Sequence, residues 1–268
     1  MRSECLYMHD EQCIGADEFT EALRAIGAKD NDVLFVHSDI KVFGKLGAEA
    51  DRDDLCRHLV EAIAASAPGG TVVMPAFTYS FGGGKPFDLQ ESPSEVGTLS
   101  EFFRTEAADV RSRHPMYSVT AKGSAAKELL DIDMDAFGTH SFFSNLLAAG
   151  GLIVSFGAPY LHSATFMHYI EQTHGVPYRF LKTFRGGFQD EGVEREVSCT
   201  SYVRHLDQDA DVDTDRLEAR LRAEGFLKEI AVGAGKIMAV RAQDEFAVGM
   251  QMLDENIYDL STAFLRKS

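Results

Sequence analysis

The densest group of ionisable residues in this chain is His162, His168, Glu171 and His174, within LHSATFMHYIEQTHG. The apolar spacing predicts a helix over 165–173, which puts His168 and Glu171 three residues apart on one face, within hydrogen-bonding reach. Near the start of a helix the dipole disfavours an imidazolium, while a carboxylate partner favours it. The two effects oppose each other and leave a base near neutrality, as general base work requires. The plainer alternative is a solvated surface pair. A metal site would have to add His174, but six residues of helix turn the two histidines about 120° apart. That spreads the ligands too widely for one ion, and no metal is expected.

A second cluster, Arg111-Ser112-Arg113-His114-Pro115, forms a local positive spot in an acidic chain. Guanidinium groups there would suit phosphate oxygens, or would simply serve solubility. Other chemistries lack their residues. Gly82-Gly83-Gly84-Lys85 runs into Pro86, and Gly233-Ala234-Gly235-Lys236 falls between two strands, so neither opens a helix as a phosphate-cradling loop must. There is no G-x-S-x-G elbow. His140-Ser141 reads more simply as a turn with Ser141 capping the next helix.

The elements that must carry these residues alternate between helical and strand periods. Helices are predicted over 16–27, 51–66, 97–105, 124–130, 141–149 and 165–173, and another ending near Gly225. Strands are predicted over 33–37, 71–77, 117–121, 152–157, 227–232 and 236–241, with two helices closing the chain. A glycine-rich loop spans 78–94, and 176–204 is polar and strand-like. Five acids crowd 207–215, a predicted solvated loop. The fold class that follows is α/β: a mixed, largely parallel sheet covered by helices on both faces. No linker or repeat interrupts it, so one domain over 1–268 is expected.

The 268 residues carry 26 basic and 42 acidic side chains, a formal charge of −16. This acidity argues against nucleic-acid binding, which needs clustered Lys and Arg, and suits a cationic small molecule. With 45% hydrophobic and 25% charged residues the chain reads as globular. No apolar run approaches the roughly 20 residues that span a bilayer, and the opening residues do not resemble a signal peptide. No membrane partner is expected, and a cytoplasmic location is. Cys5, Cys13, Cys56 and Cys199 are scattered, so no disulfide framework is expected, and Cys56 reads as a core residue.

Six stretches, in order, resemble the aminoglycoside 3-N-acetyltransferase family, the antibiotic N-acetyltransferases, whose fold is distinct from the GNAT fold. They are VLFVHSDIKVFG, GGTVVMPAFTYSF, SPSEVGTLSEFFR, VRSRHPMYSVTAKG, FGTHSFFSNLLAAGGLIVSFGAP and TFMHYIEQTHGVPYR, covering about residues 30–190. The most specific elements are His-Ser after the first core strand, R-S-x-H-P-x-x-S, and T-x-x-H-Y-x-E. The resemblance implies an acetyl-CoA-dependent transfer to a primary amine of an aminoglycoside or amino sugar. It implies His168 as general base, Glu171 as its orienting carboxylate, and Thr165 near the thioester. It places His37, Ser38, Arg111, Ser112 and Ser118 on the acetyl-CoA side. Arg113, Lys41 and Lys45 would add positive charge there.

The 77–93 loop is shorter than in the resistance enzymes, and the chain contains no Trp. Those features, with the run GVPYRFLKTFRGGF, resemble a branch of the family associated with surface-polysaccharide and secondary-metabolite pathways. Two acceptors therefore stand beside each other: an aminoglycoside, or a nucleotide-linked amino sugar. The second would call for a basic patch at Arg179, Lys182 and Arg185. Phe77, Tyr79 and Tyr178, with Phe81 and Phe87, are the expected acceptor-side aromatics, the C-terminal third completing that pocket. A non-catalytic acyl-CoA-binding protein is the alternative of a different class. The sequence is compatible with a homodimer.

Overall fold

The computed structural model describes residues 5–47, 51–208 and 210–263. A hairpin of β1 (Tyr7–His9) and β2 (Gln12–Ile14) precedes α1 (Ala16–Ala25). Then come β3 (Val33–Ser38), the short β4 (Lys45–Leu46), α2 (Arg52–Ser66) and β5 (Thr71–Pro75). A long loop holding β6 (Phe87–Asp88) leads to α3 (Thr98–Phe102), β7 (Val110–Arg111) and β8 (Val119–Gly123). The short helices α4 (Ala126–Leu129) and α5 (Phe142–Ala148) precede β9 (Leu152–Phe156). Helix α6 (Tyr160–Ser163) passes through one tight turn, Ala164–Phe166, into α7 (Met167–His174). A long hairpin pairs two twelve-residue strands, β10 (Arg179–Asp190) and β11 (Val193–Arg204). Helix α8 (Asp215–Ala223), the hairpin of β12 (Lys228–Val232) and β13 (Gly235–Arg241), and α9 (Ala242–Glu255) follow.

The main sheet has seven strands in the order β12-β13-β9-β3-β5-β8-β7. It is mixed, as expected, but parallel pairing is confined to its centre, where β3 lies parallel to both β5 and β9. The outer pairs are antiparallel; for β12–β13 and β7–β8 the short connection allows only that sense. Alternation along β3 feeds two cores. Val33 and Phe35 pack with Phe142, Met167 and Ile170 on one face, and Leu34 and Val36 with Phe19, Leu59 and Ile63 on the other. A central strand buried on both faces must be apolar throughout, which is why it reads as a continuous run.

The helix starts follow capping chemistry. Oδ1 of Asp51 accepts from the backbone N–H groups of Asp53 and Asp54 at 2.8 and 2.9 Å, and Oγ of Ser141 accepts from Ser144. Two expectations change, and the strand-like reading of 176–204 is sharpened. One helix, α9, stands where two were expected, and residues 264–268 lie outside the described ones. Residues 176–204 form a single long hairpin that joins β6 in a second sheet, over a small core of Phe81, Phe87, Met116 and Phe188. Cys5 and Cys13 form a disulfide, because the β1–β2 turn brings their Cα atoms to 5.3 Å, within bonding range. Cys56 and Cys199 are buried thiols. Among the described residues no helix is long and apolar enough to cross a membrane.

Candidate active site

From β3 the chain crosses to β5 on one side and later to β9 on the other. That reversal makes β3 a switch point, and the crevice beyond the carboxyl ends of such strands is where open α/β sheets place ligands. A cleft of about 540 Å³ lies there. His37 and Ser38 end β3, Phe77 and Tyr79 follow β5, and Thr165 and His168 descend from β9 through α6 into α7; all six line the cleft. The turn after β9 needs Gly157, whose φ is +78° and where a Cβ would lie 2.3 Å from the Asp39 carbonyl oxygen.

His168 is the second residue of α7. Its Nδ1 lies 2.7 Å from Oε2 of Glu171, a carboxylate with no solvent exposure. An ionised carboxylate only accepts, so Nδ1 carries the proton and Nε2 is left with a free lone pair. Burial lowers the His168 pKa below its ordinary value, and the Arg179 charge lowers it further, against the pull of Glu171. For Glu171, burial alone would raise the carboxyl, but His168 and Arg179 together hold it below the usual range. The Phe137 ring packs edge-on against the imidazole, with centroids 5.4 Å apart.

His37 is buried at the cleft floor, which pushes its pKa down to about 3 and keeps it neutral. Its Nε2 and the Ser38 hydroxyl are both buried without a hydrogen-bond partner. Such orphaned polar atoms are costly, and a ligand that bonds them would recover the cost. Lys41 and His162 also line the cleft.

The structure does not bring Arg111, Ser112 or Ser118 to this cleft. The Arg111 guanidinium is consumed by the carbonyls of Ala76, Leu89 and Ser92 and the hydroxyls of Thr78 and Ser118, with its charge over the Phe87 ring. Ser112 Oγ accepts from Val119 N–H, and Ser118 Oγ donates to the Ala76 carbonyl. His114 Nδ1 accepts from the N–H groups of Met116 and Tyr117, and burial holds its pKa down to about 4. The R-S-x-H-P-x-x-S run is therefore a polar staple that shapes the 76–94 loop. Arg113 pairs with Asp190, and Lys45 is exposed on β4.

Tyr178 is also displaced from its expected position. Its ring is fully buried and stacks against Tyr258, and its hydroxyl faces Glu171 from behind. Phe81 and Phe87 are core residues. The expected basic patch does not assemble. Arg179 is buried against Glu171, while Lys182 and Arg185, an odd number of residues apart on β10, point to opposite faces. His174 pairs with Asp254, away from the cleft. Sequence reasoning missed Arg179 as the partner of Glu171, and missed Leu161, Thr98 and Val212 in the cleft wall. No periodic signal links residues that meet only through the sheet and the hairpin.

The chain resembles known proteins in sequence and in fold. A family model described as aminoglycoside 3-N-acetyltransferase matches residues 35–254. Aminoglycoside N(3)-acetyltransferase III of Salmonella sp is 28% identical over 284 residues, covering 93% of each chain. The protein of the same name from Acinetobacter baumannii is 28% identical over 202 residues, 66% of this chain and 65% of that one. The latter alignment therefore spans just under two thirds of the relative. Among solved structures, aminoglycoside acetyltransferase AAC(3)-Xa superposes with a TM-score of 0.77 at 22% identity, covering 90% of this chain and 93% of that one. A structure described as AAC-IIIb binary with CoASH gives 0.74 at 23% identity, covering 88% and 95%. One of AAC-VIa bound to sisomicin gives 0.75 at 23% identity, covering 90% and 97%. The family model spans most of the described chain, and this chain belongs to the aminoglycoside 3-N-acetyltransferase family.

Proposed function

We propose that this protein transfers the acetyl group of acetyl-CoA to a primary amine of an amino sugar, with His168 as the general base. The observation that carries this reading is the His168–Glu171 pair, whose Nε2 lone pair is left for a cleft that the imidazole itself lines. Acetyl-CoA supplies an acetyl thioester, an activated acyl group with a good leaving thiolate. The acceptor arrives as an ammonium, which is not nucleophilic until it loses a proton. His168 Nε2 accepts that proton, and Glu171 stabilises the imidazolium that results. Thr165 offers a hydroxyl donor in the cleft for the negative charge that develops on the acyl oxygen. The unpartnered His37 Nε2 and Ser38 Oγ, with the Lys41 charge, fit the acetyl-CoA side. No nucleophilic Ser or Cys is needed, because the thioester is already activated.

A second acceptor reading has an observation of its own. Among the described residues lining the cleft, Asp39 is the only carboxylate. An aminoglycoside with several ammonium groups would leave most of them without a counter-charge there, so a sugar carrying a single amine, free or nucleotide-linked, matches the lining better. The relatives are named for aminoglycosides, and that chemistry comes to this chain by kinship.

The test is purified protein with acetyl-CoA and a panel of polycationic aminoglycosides and nucleotide-linked amino sugars, read by release of CoA thiol. Turnover on one group and not the other selects the acceptor. Binding of acetyl-CoA with no turnover on any primary amine would overturn the enzymatic reading in favour of an acyl-CoA-binding protein.

A further inference from the structure

Arg179 opens β10 with its side chain turned inward, and its Nε lies 2.7 Å from Oε2 of Glu171. This is the same oxygen that meets His168 Nδ1 at 2.7 Å. The guanidinium is anchored on the far side, where Nη1 donates to the Tyr202 carbonyl of β11 at 3.4 Å. Tyr202 is itself held by its hydroxyl, which donates to the Val176 carbonyl at 2.7 Å. The Tyr178 hydroxyl faces the same carboxylate. His168 of α7, Arg179 of β10 and Tyr178 just before it thus converge on one buried carboxylate.

A carboxyl buried alone would take up a proton. A protonated Glu171 could donate to His168, which would let the imidazole lose the Nδ1–H tautomer that frees Nε2. We infer that Arg179 is a positioning residue for acetyl transfer: it keeps Glu171 ionised, and so fixes the tautomer and orientation of His168, without touching either substrate. The inference rests on the proposed role of His168 as base. It also reassigns a residue that, on sequence alone, suited an anionic acceptor. The groups facing His168 are few. Glu171 lies on its own helix, Arg179 and Tyr178 come from the hairpin side, and His162, His37, Asp39 and Lys41 line the cleft. Of the cationic side chains among these, Arg179 is the one in contact with the pair.

Nitrogen-15 NMR of His168 tests this without any acceptor, so a failure of acetyl transfer leaves the test intact. In the unaltered protein His168 is expected as the Nδ1–H tautomer, titrating below the ordinary histidine value. In Arg179→Gln the loss of a neighbouring positive charge should move the midpoint to higher pH. The acid limb of kcat/KM should move with it, and kcat should fall about 10²-fold. KM for acetyl-CoA should stay unchanged. Arg179→Lys, which keeps the charge, should retain a midpoint close to that of the unaltered protein. An unmoved midpoint in Arg179→Gln, or a loss confined to KM for the acceptor, would overturn the proposal. Should that variant not fold, the unaltered protein still decides: an Nε2–H tautomer, or a midpoint at or above the ordinary value, is incompatible with the role.

Discussion

Nδ1 of His168 lies 2.7 Å from Oε2 of Glu171, and the carboxylate is fully shielded from solvent while the imidazole reaches the cleft. The charged carboxylate is thereby reserved for holding, and the imidazole for chemistry. Replacing His168 by Ala should leave thermal unfolding nearly unchanged while lowering the rate of CoA release about 10²–10⁴-fold, the usual contribution of a general base. Turnover close to that of the unaltered protein would remove His168 from that role.

Glu171→Ala should behave differently, because it strands the Arg179 charge in the core. Breaking a buried ion pair from one side costs about 3–5 kcal/mol. Urea unfolding should show that loss, whereas His168→Ala should not.

Burial sets how stability depends on pH. His37 and His114 titrate at about 3 and about 4 in the folded protein, against 6.5 for free histidine. Between those values the unfolded chain binds protons that the folded one does not, so stability is intact above about pH 6.5 and falls as pH drops below it. Each such group costs up to about 1.4 kcal/mol per pH unit in that window. Unfolding temperatures measured from pH 7.5 down to 4.5 should hold to about pH 6.5 and fall below it. A flat profile would show that neither imidazole is buried neutral.

Arg111 ties three carbonyls and two hydroxyls to one guanidinium, holding the segment that presents Phe77 and Tyr79. A lysine keeps the charge but not the fork. Arg111→Lys should therefore lower stability by about 1–3 kcal/mol. It should also raise KM more than it lowers kcat, because the chemistry lies elsewhere. Steady-state kinetics beside calorimetry separate the two effects, and a pure loss of kcat would contradict the staple role.

Gly157→Ala should disrupt the cleft floor, since the added Cβ would sit 2.3 Å from the Asp39 carbonyl oxygen at a left-handed φ. The conformation alone costs about 1–2 kcal/mol for a residue with a Cβ. Reduced soluble yield and weaker acetyl-CoA binding are the expected readouts.

Much of this protein was legible in its residues. The apolar run of β3, the caps at Asp51 and Ser141, and the i,i+3 spacing of His168 and Glu171 are local features, set by backbone periodicity and by hydrogen bonds within a few positions. The motif at 111–118 was equally visible, yet its role was not. Arginine and serine donors serve a phosphate or a backbone carbonyl equally well, and only the packed loop shows that the carbonyls of Ala76, Leu89 and Ser92 take them. Arg179 followed the same logic in reverse. In sequence it was one of several basic residues, and in the fold it is buried 2.7 Å from the carboxylate that orients the base. Local spacing determines which residues share a face. The pairing of β10 with β11, and their packing against α7, determined which buried charge meets which, because a charge withdrawn from water must find its partner wherever the tertiary structure supplies one.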